Sequence, residues 1–262
     1  MTLALAVTTH SPSVTMASPV WKVWGIEMNA LVLSGAGNFG ALQAGALEEV
    51  LGRGFTPNLV VGSSAGALNA LYVGLDPTAR GARKLQRVWM DAVHLPIGIG
   101  NPIALIRRLL QGKDGLVASR VLHDFLLRHL PAGLRTFADL QAVQGIRVRA
   151  MAVRMADGAM VAFGDRPTDL LMDGAMSSTA VAPYLGPWRV GDRRYLDGGV
   201  ASKLPLCAAI ARGASRIVAL DVVDALGSIE TAHGFLGVSG YSLSQLVEAQ
   251  ARVEIERAMS SG

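Results

Sequence analysis

Apolar positions along the chain follow two alternating patterns, short unbroken runs and longer stretches with helical spacing. The runs ALVLSG (30–35) and NLVVGSS (58–64) have the length and composition of strands buried on both faces. Each is followed by a helix-period segment, FGALQAGALEEVLGRG and AGALNALYVGL. This β-α-β-α start predicts an α/β domain with a mostly parallel sheet and helices on both faces. Right-handed crossovers put the C-terminal ends of parallel strands on one edge, so the two glycine-rich turns that close these runs should share a rim.

Residues 76–145 read as mostly helical, with a Gly/Pro break at LPIGIGNP and amphipathic segments IALIRRLLQG and RVLHDFLLRHLP. The second of these carries His123 and His129, expected at the surface or the rim. In the first, Arg107 and Arg108 suit the outer face of a core-packed helix, or a lid that turns apolar side chains to lipid and cations to headgroups. The chain returns to β structure in IRVRAMAVRMADGAMVAFG, where ADGA marks a hairpin turn. A helix in DLLMDGAMSS, a β pair in WRVGDRRYLDGG, a short helix in LCAAIARGA and a core strand RIVALDVV follow, and SLSQLVEAQARVEIERAM reads as a terminal amphipathic helix. The ordered pattern begins near Met28. Residues 1–27 are expected to be a loose extension, without a basic residue before Lys22 to make a signal peptide, and residues 28–262 a single domain.

Composition narrows the function classes. Of the 262 residues 51% are hydrophobic and 17% charged, which is globular and not disordered. No run reaches the roughly 18 apolar residues of a membrane span. The net charge is +4 and the arginines are scattered, which argues against a nucleic-acid partner and suits an anionic lipid surface. A single cysteine, Cys207, leaves no disulfide framework and too little thiol for zinc, so no metal or cofactor is implied.

Two glycine motifs carry the candidate chemistry. Gly35-Ala36-Gly37-Asn38-Phe39-Gly40 satisfies G-x-G-x-x-G between a strand and a helix. A dinucleotide site also expects an acidic residue at the end of the second strand, and that strand has none. It has instead Gly62-Ser63-Ser64-Ala65-Gly66, a G-x-S-x-G at a strand-to-helix turn, where glycines two before and two after Ser64 permit the sharp bend of a nucleophile elbow. Acyl transfer from Ser64 would build charge on a carbonyl oxygen, and backbone amides of residues 35–38 beside the Ala65 amide could hold it. The base is ambiguous on the residues alone, because Asp-Gly pairs occur at Asp114, Asp157, Asp173 and Asp197. Asp157 is explained as a hairpin turn and Asp114 lies in a loop. Asp197, followed by Gly198 and Gly199 at the end of a strand-like run, and Asp173, inside a helical pattern, both stay open. His233 follows Asp197, so the order of an ordinary Ser-Asp-His triad is formally available too.

As a set, SGAGNFG, GSSAG, AMSSTAVAPYLGP and YLDGGV leading into LPLCAAIARGASRIVALDV resemble the patatin-like phospholipases over residues 28–223. The resemblance implies a three-layer α/β sandwich. It also implies a dyad with Ser64 as nucleophile and Asp197 as base, without histidine, and an oxyanion hole in the glycine loop that includes Gly35, Ala36, Gly37 and Asn38. The motif glycines are then Gly40, Gly62, Gly66, Gly198 and Gly199. It implies a lipid acyl hydrolase of phospholipase A, lysophospholipase or esterase type, cytoplasmic, in peripheral contact with membrane, without cofactor. An aspartate base at neutral pH would have to be desolvated to raise its pKa. The chain departs from the family at Ala36, where a second glycine is usual, and at Phe39, where a basic residue is usual. It departs again at Ser202-Lys203, where an Asn often precedes Leu-Pro. A non-catalytic lipid- or partner-binding member of the fold is the competing class.

Overall fold

The computed structural model describes residues 2–8, 28–95, 107, 110–222 and 234–260. Its strands are β1 (Thr2–Thr8), β2 (Asn29–Leu33), β3 (Leu59–Ser63), β4 (Arg147–Arg154), β5 (Met160–Phe163), β6 (Trp188–Val190), β7 (Arg193–Asp197) and β8 (Arg216–Val222). Its helices are α1 (Gly40–Gly52), α2 (Ala65–Leu75), α3 (Ala79–Ala92), α4 (Arg120–His129), α5 (Phe137–Gln144), α6 (Leu171–Ser178), α7 (Leu206–Ile210) and α8 (Gly234–Ser260). The sheet runs β1-β8-β2-β3-β4-β7-β6, with β5 also paired to β4. From β1 to β4 all neighbours are parallel, while β5, β7 and β6 join antiparallel, so the sheet is mostly parallel as the pattern predicts.

Three layers follow from the two-residue period of the strands. In β2, Leu31 and Leu33 point into a core filled by α1 to α6, whereas Ala30 and Val32 point into a second core closed by α7 and α8. The same division holds in β3, with Val60 on the first side and Leu59 and Val61 on the second. Strands covered on both faces must be apolar throughout, which is why these runs show no polar alternation. No helix among the described residues is long and apolar enough to cross a membrane.

One stretch differs from expectation. Thr2–Thr8 does not trail loosely but pairs in parallel with β8 residue for residue, from Thr2 opposite Arg216 to Thr8 opposite Val222. An edge strand of this kind is recruited by the open hydrogen-bonding row of a strand more than 200 residues away in sequence, so nothing local announces it.

The register along β4 brings the site together. Ser63, the last residue of β3, pairs with Met151, and Asp197, the last residue of β7, pairs with Ala152. Val161 and Ala162 of β5 occupy the other edge of β4 at these positions. β3 and β7 therefore meet end to end on one edge, and their last residues are neighbours.

Candidate active site

Ser64 follows β3 and caps α2 with φ 54° and ψ −126°. It is the one non-glycine residue with a positive φ among the described residues. Such a conformation costs roughly 1–3 kcal/mol and persists only where packing enforces it. The enforcement comes from the motif glycines. A Cβ on Gly62 would stand 2.3 Å from the Gly66 carbonyl oxygen, and one on Gly66 would stand 2.2 Å from that of Leu33. Without either side chain α2 presses against the strand ends and the turn is pinched, leaving Ser64 half-buried at its apex. The Ser64 amide donates to Ser178 Oγ of α6 at 3.0 Å. Ser63 is fully buried, with its hydroxyl donating to the Ser202 carbonyl at 2.7 Å, so it has no free oxygen to offer a substrate.

Asp197 is 1% exposed. Its Oδ1 accepts the Gly199 N–H at 2.7 Å, and Oδ2 is buried without a closed hydrogen bond among the described residues. Burial pushes the carboxyl up to about 7, against the opposing pull of the Ser64 hydroxyl and the Gly199 amide. The Ser64 hydroxyl is thus close enough to influence the carboxylate without a tight bond to it, a looseness common in unliganded catalytic pairs. Gly198 lets the turn fit, because a Cβ there would meet the Met151 carbonyl oxygen at 2.3 Å. The desolvation that an aspartate base requires is present at this residue.

The glycine loop lies on the same rim. A Cβ on Gly35 would be 3.4 Å from Ser64 Cβ, so the two turns are in contact. The Gly35 amide, grouped from sequence with the oxyanion donors, instead donates to the Lys203 carbonyl at 2.8 Å. The amides of Phe39 and Gly40 close a 3-10 turn onto Ala36 and Gly37. Ala36, Gly37 and Asn38 keep amides without an acceptor among the described residues, and Ala65 opens α2, where a helix amide has no intrahelical partner. Ala36 has φ −141°, which alanine adopts freely, while the positive φ of 51° falls on Gly37. The departure at Ala36 is therefore harmless to the backbone.

Residues not singled out from sequence hold this loop from beneath. Gln43 of α1, fully buried, donates through Nε2 to the Ser34 carbonyl and hydroxyl and to the Leu220 carbonyl at 2.9, 3.0 and 3.2 Å. Asn69 of α2, equally buried, donates to Gln43 Oε1 and the Gly40 carbonyl, both at 3.0 Å, and accepts from Trp89 Nε1 at 2.7 Å. The signal was there in sequence, since each is an amide on a helix otherwise rich in Ala, Gly and Leu. Buried amides persist only when satisfied, and here they fasten both ends of the loop.

The other candidates lie elsewhere. Asp173 accepts the Trp188 indole N–H at 2.9 Å, Asp157 pairs with Arg154 at the hairpin, and Asp114 pairs with Arg194. His123 stacks on Trp188, and His129 contacts the Phe125 carbonyl and Asp91. His233 and most of the IALIRRLLQG segment fall outside the described residues. A cavity of about 570 Å³ lined in part by Met151, Arg154, Tyr195, Arg212 and Glu254 includes neither Ser64 nor Asp197. Among the described residues no three His, Cys, Asp or Glu side chains could hold a metal ion together.

A serine on a strained strand-to-helix turn, a buried acid, and amides without an acceptor among the described residues stand together on one sheet rim. The family profile described as Patatin-like phospholipase matches residues 31–210, well over half the chain. The protein belongs to the patatin-like phospholipase family, a group of lipid acyl hydrolases. Among solved structures it is similar to VipD from Legionella pneumophila, with 16% identity and a TM-score of 0.51 over 77% of this chain and 51% of that one. It is also similar to the type III effector protein ExoU, with 17% identity over 90% of this chain and 53% of that one, at a TM-score of 0.41 too low to support an argument. The chain spans about half the length of each. None of the curated proteins matches it.

Proposed function

We propose that the protein hydrolyses carboxylic esters of lipids, of phospholipase A, lysophospholipase or esterase type, with a Ser64–Asp197 dyad and no histidine. Ser64 Oγ attacks the ester carbonyl carbon while its proton passes to Asp197 Oδ2, the carboxylate oxygen that has no hydrogen-bond partner among the described residues. The charge that develops on the carbonyl oxygen is held by amides of Ala36, Gly37, Asn38 and Ala65. Collapse of the tetrahedral intermediate expels the alcohol, which takes the proton from Asp197 and leaves an acyl-Ser64 ester. Water then attacks that ester, Asp197 accepts the water's proton, and on release of the acid returns it to Ser64 Oγ.

The observation that carries this reading is the hydroxyl on an enforced turn beside a buried carboxyl poised near 7. A base of that pKa is half ionised at neutral pH, where it accepts and returns a proton with little loss either way. The net charge of +4 favours peripheral contact with an anionic lipid surface. A fluorophosphonate probe should label Ser64, and Ser64→Ala should abolish both labelling and turnover of a short acyl ester. Labelling at Ser63 would overturn the Ser64 mechanism, and no labelling in folded protein would favour a lipid- or partner-binding role without catalysis. A lipid panel with product mass analysis then identifies the acyl position and head group.

A further inference from the structure

The segment after Asp197 holds an ion cluster that the dyad does not use. Lys203 is 3% exposed, and its ammonium group carries three protons that need three acceptors. It donates to the Val222 carbonyl at 2.8 Å and to Glu248 Oε1, and lies 3.1 Å from Asp221 Oδ1. Asp221 is the penultimate residue of β8 and Glu248 sits in the middle of α8, both beyond the residues matched to the family. The backbone that this ammonium anchors reaches the site on two sides. The Lys203 carbonyl accepts the Gly35 amide, and the preceding Ser202 carbonyl accepts the Ser63 hydroxyl beside the nucleophile. Val222, whose carbonyl Lys203 holds, donates its own amide to Ser34 Oγ at the foot of the glycine loop at 3.0 Å. Ser202 Oγ is tied in turn to Glu254 of α8 at 2.5 Å.

We propose that Lys203 is a positioning residue, fixed by Asp221 and Glu248, whose backbone sets the Gly35 amide and thereby aims the Ala36, Gly37 and Asn38 amides at the reacting carbonyl. The proposal rests on the reading of that loop as the oxyanion site. The buried lysine, paired with two carboxylates, holds this backbone with α8 as its outer wall. The terminal helix is then part of the catalytic unit rather than a cover for the second core.

Rate and geometry are linked steeply here, since a misplacement of about 1 Å in a catalytic group can cost about a hundredfold. The experiment measures ester hydrolysis by the full chain, normalised to sites titrated with fluorophosphonate, in Lys203→Met, Glu248→Ala and Glu248→Gln. Lys203→Met should lower kcat per titrated site by about ten- to a hundredfold with KM within about twofold. Glu248→Ala leaves the ammonium paired with Asp221, so it keeps the test intact if Lys203→Met does not fold, and it should lower kcat by about three- to tenfold. Glu248→Gln restores an oxygen acceptor and should recover most of that loss. Unchanged kcat per titrated site in Glu248→Ala, or loss of activity that tracks only the folded fraction, overturns the proposal while leaving the hydrolase reading in place. If wild-type protein neither labels nor turns over ester, that reading fails by itself, and hydrogen exchange in the 34–40 segment decides the positioning role. Exchange there should quicken in Glu248→Ala and not in Glu248→Gln, and equal exchange in all three proteins overturns it.

Discussion

Replacing Asp197 by Asn should make the protein inactive and, above neutral pH, more stable. The carboxyl is held at about 7 instead of 3.8, chiefly because it is buried away from water. A folded-state pKa above the unfolded one means that the folded protein binds the proton more tightly. Stability linked to this group is therefore fully present below about pH 4 and lost as pH rises through 7. The interval from 3.8 to about 7, at about 1.36 kcal/mol per pH unit, comes to about 4 kcal/mol by pH 8. Asn keeps the shape and the acceptor for the Gly199 amide but has no charge to desolvate. Urea unfolding at pH 8 should show Asp197→Asn more stable than wild type by about 2–4 kcal/mol, the lower figure allowing for an amide NH2 placed where Oδ2 lacks a partner. At pH 4.5 most of that advantage should be gone. Ester hydrolysis should fall by about three to four orders of magnitude, as when a catalytic-triad member is lost. Equal stability differences at the two pH values would refute the burial argument, whatever the activity.

Other perturbations test separate links. His233→Ala should leave most of the rate, and kcat/KM of wild type should fall below about pH 7 as Asp197 protonates. Because an imidazole would give a similar pH limb, the variant and not the profile discriminates, and a folded but nearly inactive His233→Ala would overturn the dyad. Gly66→Ala should lower stability by about 3 kcal/mol or more in thermal or urea unfolding, since its Cβ would press within 2.2 Å of the Leu33 carbonyl oxygen, and wild-type-like stability would show that α2 can shift. Phe39→Arg, on a half-buried loop position, should change rate or substrate range without unfolding the protein. An added donor at the oxyanion is worth up to about a hundred- to a thousandfold, and no change in either would mean that Phe39 carries no catalytic meaning.

Much of the site's local construction is written in short-range chemistry. Leu31 to Leu33 and Leu59 to Val61 had to be doubly covered strands because no polar residue interrupts them, and Gly62 and Gly66, two before and two after Ser64, marked the flanks of a sharp strand-to-helix turn. Such features depend on a residue and its near neighbours, which any sequence displays. The choice of acid was of another kind. Asp173 and Asp197 each stand before a glycine, and what separates them is that β7 ends opposite Ala152 while β3 ends opposite Met151, a register set across β4. The same holds for the Gly35 amide, claimed by a carbonyl 168 positions away at Lys203, and for Thr2–Thr8, which finds its partner in β8. Gln43 and Asn69 stand out in sequence as amides among Ala, Gly and Leu, but what they bond is set only when α1 and α2 are pressed onto the sheet beneath the loop. Hydrogen bonding and burial between distant segments are satisfied by the packed chain as a whole, so it was the tertiary structure that set Asp197 beside Ser64 and left the Ala36, Gly37 and Asn38 amides without acceptors among the described residues.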